Sequence, residues 1–441
     1  MESVRRYRRN AADCLLAACK AHEPRQPVAS LRKSMSEVLR SSRLKGLPQP
    51  SAVGARFSWV ASAVIACLAV LPIDAFAQHV RQAADQPIGR LETVFQFVNA
   101  MPTGVTIAPT GRLFVNFPRW GDKVDFTVAE IRHGRLVPFP TAAMNQNRSD
   151  DPTHSFLSVQ SVVIDPANRL WALDTGSPEL RPPTAGAAKL VGIDLATNTV
   201  VKTIVFLSDV VLPTTYLNDV RFDLRHGKEG VAYITDSSSS GPGAIIVVDL
   251  ATGDSRRRLS GHHSTAADPT IVPFVEGKPF RLVPNGTSSA PVLTAADGIA
   301  ISADGEKLYY CPLTSRHLYS VSTAALRDAN ATDDAVASTV VDLGEKGMSD
   351  GLESDSAGRV YVTDIEHNAI RRRLSDGSYE TIAHDPRILW PDTLSLGVDH
   401  YLYFTANQVH RQAAFNGGID MREKPYVLFR IAVDADPVRL R

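Results

Sequence analysis

The chain has 441 residues, 47 basic against 47 acidic side chains and a hydrophobic fraction of 44%, enough to bury a large core and too apolar for a disordered polymer. Residues 1–77 take 12 of the basic and 5 of the acidic residues. The rest carries 35 against 42, a formal net charge of −7, which argues against a nucleic-acid or anionic-membrane partner.

The front of the chain differs in kind from the body. Residues 1–54 are basic and polar, without sustained periodicity. Arg56 then precedes an apolar run at 57–71, and Ala75-Phe-Ala77 stands before Gln78. A basic residue, an apolar stretch and a small-x-small site in that order read as a leader with a signal peptide over 1–77, cleaved near Ala77. The run is short for a membrane span and Asp74 closes it. Residues 78–441 are then a secreted or periplasmic domain, monomeric and without stable membrane association. Cys14, Cys19 and Cys67 fall in the leader, so the mature part keeps Cys311 alone and has no internal disulfide. Cys311 follows Leu308-Tyr-Tyr on an expected strand and reads as a buried, unreactive thiol.

The body repeats one pattern six times: a short apolar run, a polar turn, then a second run bearing aromatic side chains. After a first alternating strand at Leu91–Val98, the repeats start near 104, 161, 219, 297, 350 and 392. Each is a β-hairpin by its alternation and its Gly, Asp or Asn turn. A hairpin cannot bury its apolar face alone, so recurrence implies stacking. Six copies specify an all-β, six-bladed β-propeller with a central channel suited to a small-molecule ligand.

Between repeats, Lys189–Leu195, Ala244–Leu250 and His317–Val321 read as outer strands. The spacing is widest between the third and fourth starts, where a long insertion offers a lid or a mouth. Ser322-Thr-Ala-Ala-Leu-Arg carries the clear helix signal of the body. Tyr426–Val433 is a strong strand, expected to complete the first blade and so close the ring.

Acids head successive inner strands: Asn218 with Asp219, Asp297, Asp350 and Asp392. The first residues of inner strands converge at one mouth, where several carboxylates would repel one another unless a cation sat among them. Asn218, Asp297, Asp350 and Asp392 are therefore candidate ligands for a metal, and such hard oxygen donors suit Ca²⁺ better than Zn²⁺. For any single site an Asp-Gly pair that caps a turn is the simpler account. If the channel is catalytic, Asp350 and Glu353 are the candidate pair, one as metal ligand and the other as base. His154, His262, His263, His367 and His410 read as surface residues, and Trp171, Trp390, Tyr361, Tyr403 and Phe404 as blade core with an aromatic ligand cage as the lesser alternative. No Gly-x-Ser-x-Gly, His-Glu-x-x-His or Cys-x-x-Cys motif is present.

Several of these segments, in this order, resemble the yellow and major royal jelly protein family. They are Leu170-Trp-Ala-Leu-Asp-Thr-Gly, Tyr233-Ile-Thr-Asp-Ser, Asp297-Gly-Ile-Ala-Ile-Ser with Leu308-Tyr-Tyr-Cys-Pro-Leu, and Pro425-Tyr-Val-Leu-Phe-Arg-Ile. Over roughly residues 90–435 the resemblance implies a secreted six-bladed propeller with a ligand in its channel. Insect members bind small aromatic amines. The chain departs from them in lacking cysteines for their disulfides and in Arg256-Arg-Arg-Leu, where an aromatic Trp-Arg pair is usual. More distantly, the Asp-Gly starts resemble the gluconolactonase and senescence-marker protein group, which implies a channel divalent cation and lactone hydrolysis as the alternative function.

Overall fold

The computed structural model describes residues 87–148 and 150–441. The leader expected over 1–77 lies outside the described residues. Six four-stranded antiparallel sheets follow one another along the chain. Their inner strands are Val105–Ile107, Val159–Ile164, Leu217–Asp223, Ala296–Ile301, Leu352–Ser354 and Pro391–Leu396, in blades 1 to 6. Neighbouring inner strands touch in sequence order, and that of blade 6 touches that of blade 1, so the ring closes. No helix among the described residues is long and apolar enough to cross a membrane.

Ring closure differs from the sequence expectation. Tyr426–Ala432 is the third strand of blade 6, and the outermost strand of that blade is Leu91–Phe97, paired antiparallel with it. The early strand therefore completes the last blade, and the late strand does not complete the first. Both orders leave no open sheet edge at the seam, and only pairing, which periodicity does not reveal, separates them. The expected helix is present at Thr323–Arg327, capped by the Ser322 side chain accepting from the Ala325 amide. A second, at Asp333–Ala337 under a Thr332 cap, was not anticipated.

Three of the hairpins share one device at the turn. In blade 2, Asp165 Oδ1 accepts from the backbone amides of Ala167 and Arg169. Its Oδ2 accepts from Arg169 Nε at 2.6 Å and from Trp171 Nε1 at 2.8 Å. Blade 5 repeats the arrangement with Asp355, Arg359 and the Tyr361 hydroxyl, and in blade 6 Asp399 accepts from the Tyr403 hydroxyl at 2.7 Å. One carboxylate thus shapes the turn and satisfies the polar atom of the aromatic residue that opens the next strand. Trp171, Tyr361, Tyr403 and Phe404 are core residues accordingly. Among the described residues, one apolar cluster lies between each neighbouring pair of blades. Cys311 is buried between blades 4 and 5, and burial pushes its thiol pKa up, as expected of an unreactive cysteine.

The inner strands of blades 4, 5 and 6 approach unusually closely. A Cβ on Gly298 would collide with the carbonyl oxygen of Asp350, and one on Gly351 with the carbonyl oxygen of Asp392. The Asp-Gly pairs therefore lie in or beside inner strands and permit blade-to-blade contact; they do not cap turns. Thr235 Oγ1 donates to the Asp297 carbonyl at 2.6 Å, and the Gly351 amide donates to the Asp392 carbonyl at 2.9 Å. Gly351→Ala should destabilise the fold by about 1–3 kcal/mol, since the added methyl must push two inner strands apart. Thermal denaturation of the variant checks this; melting with the wild type would show that the contact is not confining.

Candidate functional site

Register irregularities mark the channel ends of the inner strands. Pairing with the second strand shifts between Val159 and Ser161, Leu217 and Val220, Ala296 and Ile299, and Pro391 and Leu394. Each interruption frees residues from the ladder and re-aims their side chains: Gln160, Asn218 with Asp219, Asp297, and Asp392. Gln160, Asn218, Asp297, Asp350 and Asp392 all line one cavity of about 290 Å³, the upper chamber of the channel. The four residues nominated as metal ligands are thus brought together.

Their environments differ. Asp350 Oδ2 accepts from Trp390 Nε1 at 2.8 Å, and Asp392 Oδ2 accepts from Asn407 Nδ2 at 2.6 Å. The Asp297 and Asp350 carboxyls are close enough for each to act on the other's protonation. Burial, reinforced by the charge of Asp350, raises the pKa values of Asp297 and Asp392 well above the ordinary carboxylate range. Burial likewise brings Asp350 up to about 6, opposed by its hydrogen bond from Trp390 and by Asp297. Among the described residues no Lys, Arg or His forms an ion pair with any of the three. Asn218 is engaged differently, at the end of a chain in which Trp120 Nε1 donates to the Tyr216 hydroxyl at 2.6 Å. That hydroxyl donates to Gln160 Oε1 at 3.0 Å, and Gln160 Nε2 donates to Asn218 Oδ1 at 3.2 Å.

The walls of the chamber are aromatic. Trp120, Tyr216, Trp390, Phe280 and Phe415 line it. Trp390 sits at φ 57°, a left-handed backbone uncommon for a bulky residue, and this turns its indole N–H onto Asp350. Trp390 is buried in an apolar cluster with Phe280 and Met348, as a core role requires, and is the one of the five expected core aromatics that also borders this cavity. Phe280 comes from the insertion between blades 3 and 4, which packs onto blade 6: its ring lies 5.0 Å from Trp390 and 4.6 Å from Phe415. Glu276 of the same insertion accepts from Arg411 Nε at 2.7 Å and meets His410 Nε2 at 2.7 Å. His410, expected at the surface, is buried and stacked on Trp390; His154, His263 and His367 are exposed.

Asp350 and Glu353, expected as a working pair, line different cavities. Glu353 borders a second, lower chamber of about 100 Å³, together with Arg221. Of the carboxylate oxygens nominated as ligands, Asp350 Oδ2 is engaged by Trp390 and Asp392 Oδ2 by Asn407. Among the described residues no three Asp, Glu, His or Cys side chains stand together as a metal site.

Fold and site together define a six-bladed propeller whose channel has an acidic floor and aromatic walls. The sequence profile of the major royal jelly protein family matches residues 157–436, and the chain belongs to that family. The protein yellow of Drosophila erecta is 29% identical over 291 residues, 62% of this chain and 50% of that protein. The protein yellow of Drosophila melanogaster is 28% identical with the same coverage. The chain spans about half the length of the curated relatives it matches. Solved structures of similar backbone include a gluconolactonase from Xanthomonas campestris, at 13% identity and a TM-score of 0.47, covering 78% of this chain and 89% of that one. Another is regucalcin from Agrobacterium tumefaciens, described as calcium-binding, at 16% identity and a TM-score of 0.46, covering 79% and 98%.

Proposed function

We propose that the protein is an exported propeller that binds a small aromatic amine in the upper chamber. One observation carries the reading: two buried carboxylates and a half-buried third, none with a basic partner, share a chamber with a wall of five aromatic side chains. An ammonium group neutralises like charges that would otherwise be held apart only by protonation. The aromatic faces add cation–π attraction and bury the apolar part of the same ligand. The lactone-hydrolase alternative has less support, because Glu353, its candidate base, is paired with Arg221 beside the other chamber, away from Asp350. Export rests on the apolar run before Ala77; N-terminal sequencing of the exported chain should begin at or near Gln78, and an intact leader would contradict it.

Phenethylamine should quench or shift the tryptophan fluorescence of the protein, while 3-phenylpropionate, equal in shape and opposite in charge, should not. Asp350→Asn should weaken amine binding roughly 10- to 100-fold, the loss of one charge-assisted contact of about 1.5–3 kcal/mol. Binding should also fall as pH drops below about 6, where Asp350 takes up a proton. Equal binding of both probes would remove the amine reading. Ca²⁺ is the second occupant the uncompensated carboxylates support; a melting temperature raised by Ca²⁺, with no response to the amine, would put it in the amine's place.

A further inference from the structure

Below the acidic chamber, the channel contains a cation of its own. Arg221 belongs to the inner strand of blade 3, between the core residues Val220 and Phe222, and is 6% exposed. Its side chain does not stay within its blade. Nη1 donates to Asp219 Oδ2 at 3.0 Å and to the Val220 carbonyl at 2.8 Å. Nη2 donates to the Leu352 carbonyl at 2.6 Å and lies 4.0 Å from Glu353 Oε2. Leu352 and Glu353 belong to blade 5, and blade 4 intervenes in the ring. Arg221 is therefore a crossbar over the channel.

What surrounds the guanidinium is informative in itself. It faces two carboxylates and two backbone carbonyls, from two blades. That is a set of oxygen donors of the kind a hard divalent cation takes. Its Nε has no protein partner, so the group is held by its two terminal nitrogens and does not meet a cradle shaped for all five N–H donors. The floor beneath is closed as well. Residues 436–440 pass under the ring, where the Ser356 amide of blade 5 donates to the Asp436 carbonyl at 2.9 Å. The Leu224 amide of blade 3 donates to the Leu440 carbonyl at 2.9 Å, and Arg439 Nη2 donates to the Pro166 carbonyl of blade 2 at 3.3 Å. Pro437, Val438 and Arg439 thus line the lower chamber with Arg221 and Glu353.

We infer that Arg221 is a built-in channel cation: its guanidinium fills an oxygen cage that would otherwise hold a divalent metal ion, and it confines exchangeable cations to the upper chamber. The covalent charge compensates Asp219 and Glu353 permanently, which no dissociable ion does. The carboxylates of blades 4, 5 and 6 are left without such compensation and face the chamber under the insertion. The inference stands whether or not that chamber takes an amine, and its test uses the metal alone.

Arg221→Met keeps much of the aliphatic stem and removes the charge. In the full chain this variant should melt below the wild type in chelator, and Ca²⁺ should recover most of the loss, with a response clearly larger than the wild type's own. The variant R221M/D219N/E353Q, whose cage carries no charge, should melt independently of Ca²⁺ beyond the wild-type response. Should Arg221→Met fail to fold in chelator, refolding in Ca²⁺ replaces melting as the readout, and rescue is the expected result. A response to Ca²⁺ no larger than the wild type's, an absence of rescue, or a response that persists undiminished in R221M/D219N/E353Q would each overturn the assignment.

Discussion

Two glycines allow the inner strands of blades 4, 5 and 6 to come within contact of one another's backbone carbonyls, and the chemistry of the upper chamber depends on that approach. A side chain at Gly298 or Gly351 would hold the strands apart, and with them Asp297, Asp350 and Asp392. The residue that must be small and the residue that must be acidic are adjacent, so packing and electrostatics are set by the same dipeptide. Close approach also removes the carboxyls from water, which is the first cause of their raised pKa values. The ring therefore stores an unfavourable arrangement of charge at the place where a ligand can relieve it.

Nearby charged groups show how such an arrangement is relieved by the chain itself. Asp219 and Glu353 are also channel carboxylates, yet Arg221 stands between them. At the hairpin turns, Asp165 and Asp355 hold an arginine and backbone amides. Of the three carboxylates of the upper chamber, Asp350 has a hydrogen bond from Trp390 and Asp392 one from Asn407, but none has a positive charge beside it. This contrast within one fold is what makes a cationic ligand the economical reading, and the insertion that brings Phe280 against Trp390 supplies the apolar surface for its remainder.

Much of the architecture was legible in the sequence because its signals are local. Alternation, Asp-led turns and an aromatic opening the second strand recur within a dozen residues, and they placed the inner strands of all six blades. The acids at Asn218, Asp297, Asp350 and Asp392 were legible for the same reason, since strand ends at one face of a ring must converge. The rest of the site was not, because it depends on contacts between distant segments. Trp120, Tyr216 and Phe280 sit on loops and Phe415 on a single 3-10 turn, with no periodicity to betray them. The pairing of Leu91–Phe97 with Tyr426–Ala432 spans most of the chain. Arg221 did leave a trace: a charged residue flanked by Val220 and Phe222 in a strand buried throughout its length must reach something across the channel. Glu353, two residues after the Asp-Gly pair, looked like a partner for Asp350, but it faces Arg221 instead.

Asp297, Asp350 and Asp392 crowd one chamber without a cation of the chain's own. Carboxyl carbon NMR of the ligand-free, chelator-treated protein, titrated through the acid range with Asp→Asn variants for assignment, reads this directly. Carboxyl signals from these residues should still change above pH 5, with Asp350 near 6, and the transitions of the remaining two should be displaced when any one of the three is replaced. Three independent transitions close to the ordinary aspartate value of about 3.9, unmoved by the neighbouring substitutions, would contradict it.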